Sequence, residues 1–197
     1  FKAMAVKPTK SKKKKINKFF KSTSSLPLLF LQVYNSQTEQ QATLNWITPT
    51  SYVATFGGSY VYTANQGIAG NASNAYINTG FSPNSNGAGI FTQNSGSHGV
   101  WVNTELVEVN IVAGLTGAAT STDIFPRYTG NICYMYVNSV SGAGISNTSS
   151  IGYFAVDRNN SANEQYYIRG VSSGTQTATS GAMATGNDHV LCRWNAA

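Results

Sequence analysis

Ala75–Asn103 reads AYINTGFSPNSNGAGIFTQNSGSHGVWVN. Three short apolar runs, Ala75–Phe81, Gly89–Thr92 and Gly99–Val102, are separated by clusters of Ser, Pro, Asn and Gly. Runs of four to eight residues bounded by turn formers are the pattern of β-strands joined by tight connections, so this stretch predicts strand, turn, strand, turn, strand.

The same punctuation extends outward in both directions. Upstream, Tyr52–Phe56 and Ser59–Thr63 flank Gly57-Gly58, a dipeptide that supplies the positive φ angles of a two-residue hairpin. Downstream, strands are predicted at Leu106–Val112, Asn131–Asn138, Ile151–Arg158, Gln165–Val171 and His189–Trp194, with those at Ala75–Thr79, Gly89–Gln93 and Gly99–Asn103 between. Turn signals every 8–12 residues or so, without sustained helical periodicity, predict an all-β antiparallel sandwich or barrel. The Gly/Ser/Thr-rich stretches Gly114–Thr122, Ser139–Ser150 and Ser172–Gly186 are expected as loops. Alternation assigns faces: Phe154 and Val156 oppose Tyr153 and Asp157, and Val107, Val109 and Ile111 oppose Glu108 and Asn110. Asn131–Asn138 is apolar on both sides, as suits a central strand.

The net charge of +6 is divided unevenly. Residues 1–21 hold nine lysines and no acid, whereas residues 22–197 hold four arginines and seven acids, leaving that part at −3. Three segments follow: a Lys-rich arm over 1–25, a connecting segment over 26–45 and a β-sandwich domain over 46–197. Like-charge repulsion keeps such an arm extended until an anionic partner appears, which leaves three readings: contact with nucleic acid phosphates, docking into an acidic groove on a neighbouring subunit, or a solvated tail. Lys10, Lys12, Lys13, Lys14, Lys15, Lys18 and Lys21 are its candidate contacts. Pro27 interrupts the apolar Leu26–Val33, and no small-residue cleavage site follows before Asn35–Gln41, which argues against a signal peptide. That run is expected either to pack as a short buried segment or to lead into a helical turn through Gln37–Leu44. No run approaches the roughly 18 apolar residues of a membrane-spanning helix. Charged residues make up 10% of the chain, against about 25% in ordinary soluble domains. Such a composition favours close assembly of copies. Beginning at Phe1 without Met, the chain is expected to be part of a longer product.

The order of short pieces carries a resemblance. Asn45-Trp46 and Pro49 are followed by Tyr62-Thr63-Ala64-Asn65 with Gly67, then Tyr76-Ile77-Asn78-Thr79-Gly80-Phe81-Ser82-Pro83, Gln93-Asn94-Ser95 and Gly99-Val100-Trp101-Val102. Pro126-Arg127 and Leu191-Cys192-Arg193-Trp194-Asn195 come later. From about Leu44 onward this resembles phage virion structural proteins with a concanavalin A-like (laminin G-like) jelly-roll domain, as in tail fibres and capsid or tail decoration proteins. The resemblance implies an antiparallel jelly-roll sandwich, a location in the virion, partnership with other virion subunits as a homo-oligomer, and a last strand beyond Arg193–Asn195. The basic arm stands outside it.

Catalytic patterns are missing from the sequence. A retaining glycosidase needs carboxylates about 5–5.5 Å apart, on one strand at spacings of two or four. Glu105 and Glu108 are three apart, and Asp157 has no acid at either spacing. His98 falls in a Gly/Ser turn and His189 opens a strand, neither near a nucleophile elbow. The isolated acids do not make a metal cluster. No enzymatic activity and no cofactor are therefore expected. Cys133 and Cys192 lie in apolar runs and are expected as unpaired core thiols. Exposed aromatic rings beside Asn and Gln can bind sugars, which makes Trp101, Tyr128, Tyr153, Tyr166 and Tyr167 candidates for a host-surface glycan, although strand aromatics usually serve packing. Three functions are open: a virion fibre, tail or decoration protein; a capsid shell protein whose arm binds the genome through residues 1–21; and a carbohydrate-binding module.

Overall fold

A computed structural model of the chain describes residues 30–71, 73–105, 112–117 and 119–186, with the backbone of 189–190. The arm lysines, Glu108, the strand expected at Leu106–Val112 up to residue 111, Cys192 and the end of the last strand lie outside the described residues.

The protein is all-β. Thirteen strands are described: β1 Thr55–Gly57, β2 Tyr60–Thr63, β3 Gly67–Gly70, β4 Tyr76–Asn78, β5 Gly96–Val102, β6 Ala113–Thr116, β7 Ser121–Tyr128, β8 Ile132–Met135, β9 Ile145–Ser146, β10 Gly152–Arg158, β11 Asn163–Ile168, β12 Val171–Thr177 and β13 His189–Val190. They form a seven-stranded sheet (β1-β4-β13-β6-β7-β8-β9), a four-stranded sheet (β12-β11-β10-β5) and a small β2-β3 ribbon. The strand pairs are antiparallel. Single helical turns occur at Glu39–Ala42, capped by the Thr38 hydroxyl, and at Pro83–Asn86.

The two larger sheets share one core. Ile124, Cys133 and Met135 of the seven-stranded sheet, with Val137 just beyond β8, pack with Val102, Phe154, Val156, Tyr166 and Ile168 of the other. The alternation read in Ile151–Arg158 holds: Phe154 and Val156 are fully buried, and Tyr153 and Asp157 lie on the opposite face. Ahead of the sheets, Phe30 stacks on Phe81 at 5.3 Å and meets Tyr52 edge-on at 6.4 Å. The side-chain oxygen of Asn45 accepts from the amides of Leu31 and Ile47, which fastens the entering segment.

A second set of contacts joins the sheets by hydrogen bonds. β9 pairs only with Ile132 and Cys133, so the β8 edge beyond Cys133 has backbone groups without a strand partner. Inward-facing side chains of β10 and β11 reach them. Tyr166 Oη accepts from the Met135 amide at 3.2 Å, and Glu164 Oε1 accepts from the Val137 amide at 2.6 Å. Arg158 donates through Nε to the Val137 carbonyl at 2.6 Å, and through Nη2 to Glu164 at 2.9 Å, to Ser139 Oγ at 2.6 Å and to the Ala178 carbonyl at 2.8 Å. Both charged side chains are 0% exposed. Burial pushes the Glu164 carboxyl up, and hydrogen bonds from Ser139 and Val137 with the Arg158 charge oppose it.

Several sequence expectations are corrected. Gly57-Gly58 does not turn a hairpin, since β1 pairs with β4 and β2 with β3. The glycines instead permit close approach: a Cβ at Gly57 would meet the Tyr76 ring at 2.3 Å, and one at Gly58 (φ +72°) would sit 2.0 Å from the Asn74 carbonyl oxygen. Gly89–Gln93 is turn, with a single bridge between Thr92 and Ser95. His98 belongs to β5, which starts at Gly96 rather than Gly99, so it is not a turn histidine. The expected loop Gly114–Thr122 contains most of β6 and the start of β7, and Ser172–Gly186 begins with β12. β12 follows β11 through a turn at Arg169-Gly170, so Gln165–Val171 is not one strand. β7 itself, STDIFPRY, went unread because Asp123 and Pro126 break the strand pattern; the register against β8 shifts between Phe125 and Tyr128, and Pro126 sits in that irregularity.

Cys133 is a free, fully buried thiol whose pKa burial pushes up to about 12. In a Cys192→Ser background the native protein is therefore expected to resist iodoacetamide at neutral pH. Full labelling should appear only in denaturant, as read by intact mass. Rapid native labelling would refute the buried placement.

Candidate functional site: the outward face of the four-stranded sheet

The sequence candidates separate into three environments. Tyr166 is 0% exposed and belongs to the core, so it is not available to a ligand. Tyr128 lies on the seven-stranded sheet, where its ring meets Phe125 at 5.9 Å and Tyr134 at 5.7 Å, and Tyr134 stacks on Tyr136. That is cross-strand packing. Trp101, Tyr153 and Tyr167 come together on one surface.

Register places them. In the four-stranded sheet Trp101 lies opposite Tyr153, Ala155 opposite both Gly99 and Tyr167, and Asp157 opposite both Ser97 and Gln165. Directly paired residues project to the same side. Because Phe154 and Val156 face the core, this set faces away from it. Trp101 and Asp157 are separated by four residues along a strand and one strand across, about 14 Å in standard sheet geometry.

Each group has a local reason for its position. The Trp101 indole is 62% exposed, yet it is held by its edge: Nε1 donates to Asn103 Oδ1 at 2.6 Å, and Asn103 donates onward to the Gln66 carbonyl. The ring face stays open while the polar handle is satisfied. Tyr153 lies across Gly99, where a Cβ would fall 2.5 Å from its hydroxyl, so a larger residue there would make the ring shift. Burial pushes the Tyr153 phenol up to about 12 and keeps it neutral. Tyr167 is raised by burial and by the Asp157 charge nearby.

Asp157 is half-buried between Ser97 and Gln165, with Tyr167 nearby. One of its oxygens accepts from Ser97 Oγ at 2.6 Å; burial raises its pKa and that hydrogen bond pulls it back. Gln165 is occupied by Ser172, Thr175 and the Gly174 and Tyr166 carbonyls, so it stiffens the neighbouring strands. The arrangement presents the open Trp101 ring and one carboxylate acceptor, with Gly99 under the Tyr153 ring and Ala155 buried.

The other carboxylate considered, Glu105, is tied down. It pairs with Arg127 at 2.6 Å and accepts from Ser149 and Ser150, and the Ser149 hydrogen bond is first among the contacts that lower its pKa. Among the described residues no group of three or more His, Cys, Asp or Glu is placed to hold a metal ion, and no helix is long and apolar enough to cross a membrane. The Trp101–Tyr153–Tyr167–Asp157 grouping was beyond sequence reasoning as a unit, because it depends on which strands pair. The one available signal was the placement of Tyr153 and Asp157 on the face opposite Phe154.

Comparison with protein-family models, curated proteins and solved structures finds no match to this chain.

Proposed function

We propose that the protein is a virion structural component, of the phage fibre, tail or capsid-decorating kind, with a concanavalin A-like jelly-roll body and a basic N-terminal arm that docks to an acidic neighbouring subunit. The observation that carries this reading is the wound sheet order. β5 lies beside β10, and β13 is inserted between β4 and β6, so sequence-distant strands are neighbours in both larger sheets, as jelly-roll winding requires. Pieces of the resemblance fall on elements of that frame: Tyr76–Asn78 is β4, Pro83 opens a helical turn, Gly99–Val102 closes β5 and Pro126-Arg127 lies in β7. The body between Ser22 and Ala197 carries −3 over its length, which keeps repulsion between copies low.

An antibody raised against the full chain tests the reading. In a culture producing the protein it is expected to label sedimenting particles by immunogold electron microscopy. A protein found wholly in the non-sedimenting fraction would overturn it.

A capsid shell protein with a genome-binding arm is the second reading, favoured by the nine lysines of residues 1–21. It predicts binding of the full chain to nucleic acid that falls steeply with salt, with log–log slope near −0.9 per phosphate neutralised on duplex DNA. Absence of binding at low salt removes it.

A further inference from the structure

We propose that the free edge of β12 is a self-association surface, where a second copy of this chain adds its own β12 antiparallel and joins two four-stranded sheets into one. The inference stands on the edge itself and does not require the virion reading.

The backbone leaves this edge open. β12 ends the order β12-β11-β10-β5, so one side pairs with β11 and the other has no strand partner among the described residues. Next to the pair Asn163–Thr177, the Ala178 amide donates to the Ala162 carbonyl at 2.8 Å. Hydrogen-bonded and non-hydrogen-bonded pairs alternate along an antiparallel ladder. Gln176 and Gly174 therefore turn their amides and carbonyls to β11, whereas Thr177 and Thr175 turn theirs outward. Both threonines are exposed. An extended strand is the partner that satisfies such groups in series.

The sequence of β12 does little to guard the edge. Edge strands are ordinarily blunted by shortness, charge, proline or a bulge. β1 and β9, which end the seven-stranded sheet, have three and two residues. β12 has seven, VSSGTQT, without charge or proline. Its register irregularity falls at Ser173, in the half beside the Arg169-Gly170 turn, and leaves Gly174–Thr177 regular.

Self-complementarity selects a second copy as the occupant. Two-fold pairing sets a strand against itself, which an edge bearing charge would oppose and this uncharged one does not. Centred on Gln176, it places Thr175 opposite Thr177 of the second copy. Each such pair exchanges two backbone hydrogen bonds and sets β-branched side chains together on one face. Arg169, the charged residue nearest β12 in sequence, goes to opposite ends of the paired strands. The −3 carried by residues 22–197 adds little repulsion between the bodies. One strand pair buries less than the roughly 1,200 Å² of a standard interface, so association is expected to be weak and concentration-dependent.

The test is sedimentation velocity of the full chain carrying Cys192→Ser, at rising concentration and at low and high salt. A monomer–dimer equilibrium that persists in high salt is expected. Thr175→Pro removes an outward donor from each copy and should raise the dissociation constant about ten-fold or more. Thr175→Lys keeps every backbone bond within the chain and should weaken association similarly, by bringing like charges together. Circular dichroism of each variant keeps folding separate from association. Gln176→Cys falls on the two-fold axis, where opposed Cα atoms are about 4.5 Å apart, within disulfide reach. Oxidised glutathione should link it into a covalent dimer but should not link Thr179→Cys, whose two copies would lie about 20 Å apart. A chain that stays monomeric would leave the edge to a strand of another protein and overturn the proposal. So would association that survives Thr175→Lys, association lost in high salt, which assigns it to the basic end, or Thr179→Cys linking as fast as Gln176→Cys.

Discussion

Glu164→Ala is expected to lower the unfolding free energy by about 3–5 kcal/mol, the usual cost of removing one member of a buried ion pair. The substitution leaves Arg158, 0% exposed, without its counter-charge, and takes the acceptor from the Val137 amide and the Ser139 hydroxyl at once. Arg158→Ala should cost a similar amount, because the Val137 and Ala178 carbonyls lose their donor and Glu164 keeps a buried charge. Urea denaturation followed by far-ultraviolet circular dichroism measures both. Replacing the pair together, as Arg158→Met with Glu164→Leu, should cost less than the two alanine variants added, since neither charge is then left alone. A Glu164→Ala loss below about 1 kcal/mol would mean that the pair does not hold the sheets together.

Tyr166→Ala is expected to cost about 3–5 kcal/mol, in line with truncation of other buried aromatic residues. Tyr166→Phe separates the two parts of that loss. It keeps the ring in the core but removes the acceptor of the Met135 amide, so about 1–3 kcal/mol should be lost. Thermal and urea unfolding check both losses. A Tyr166→Phe variant as stable as the parent would show that the Met135 amide finds another acceptor.

Arg158, Glu164 and Tyr166 bear on how much was readable in advance. Period-two alternation correctly separated Phe154 and Val156 from Tyr153 and Asp157, because face assignment within one strand is local. It gave no reason to bury Arg158, whose side chain is accommodated only because β9 stops after two residues and leaves the β8 edge open. Tyr166 and Tyr167 are adjacent tyrosines with opposite fates, since strand residues alternate between core and surface. β7 was missed because Pro126 and Asp123 argue against a strand, and neighbours on both sides supply the pairing that overrides this.

From its sequence alone, this chain was determined to be all-β, with apolar runs punctuated by Gly, Asn, Ser and Pro, and to be divided into a basic end and a mildly acidic body. Those properties depend on spacing and charge along one dimension. Strand partners, the burial of Arg158 with Glu164 and the assembly of Trp101, Tyr153, Tyr167 and Asp157 on one face were decided by tertiary structure. Pairing β5 with β10 joins residues 50 to 62 positions apart, and the energetics of that register reside in contacts between strands rather than within either one.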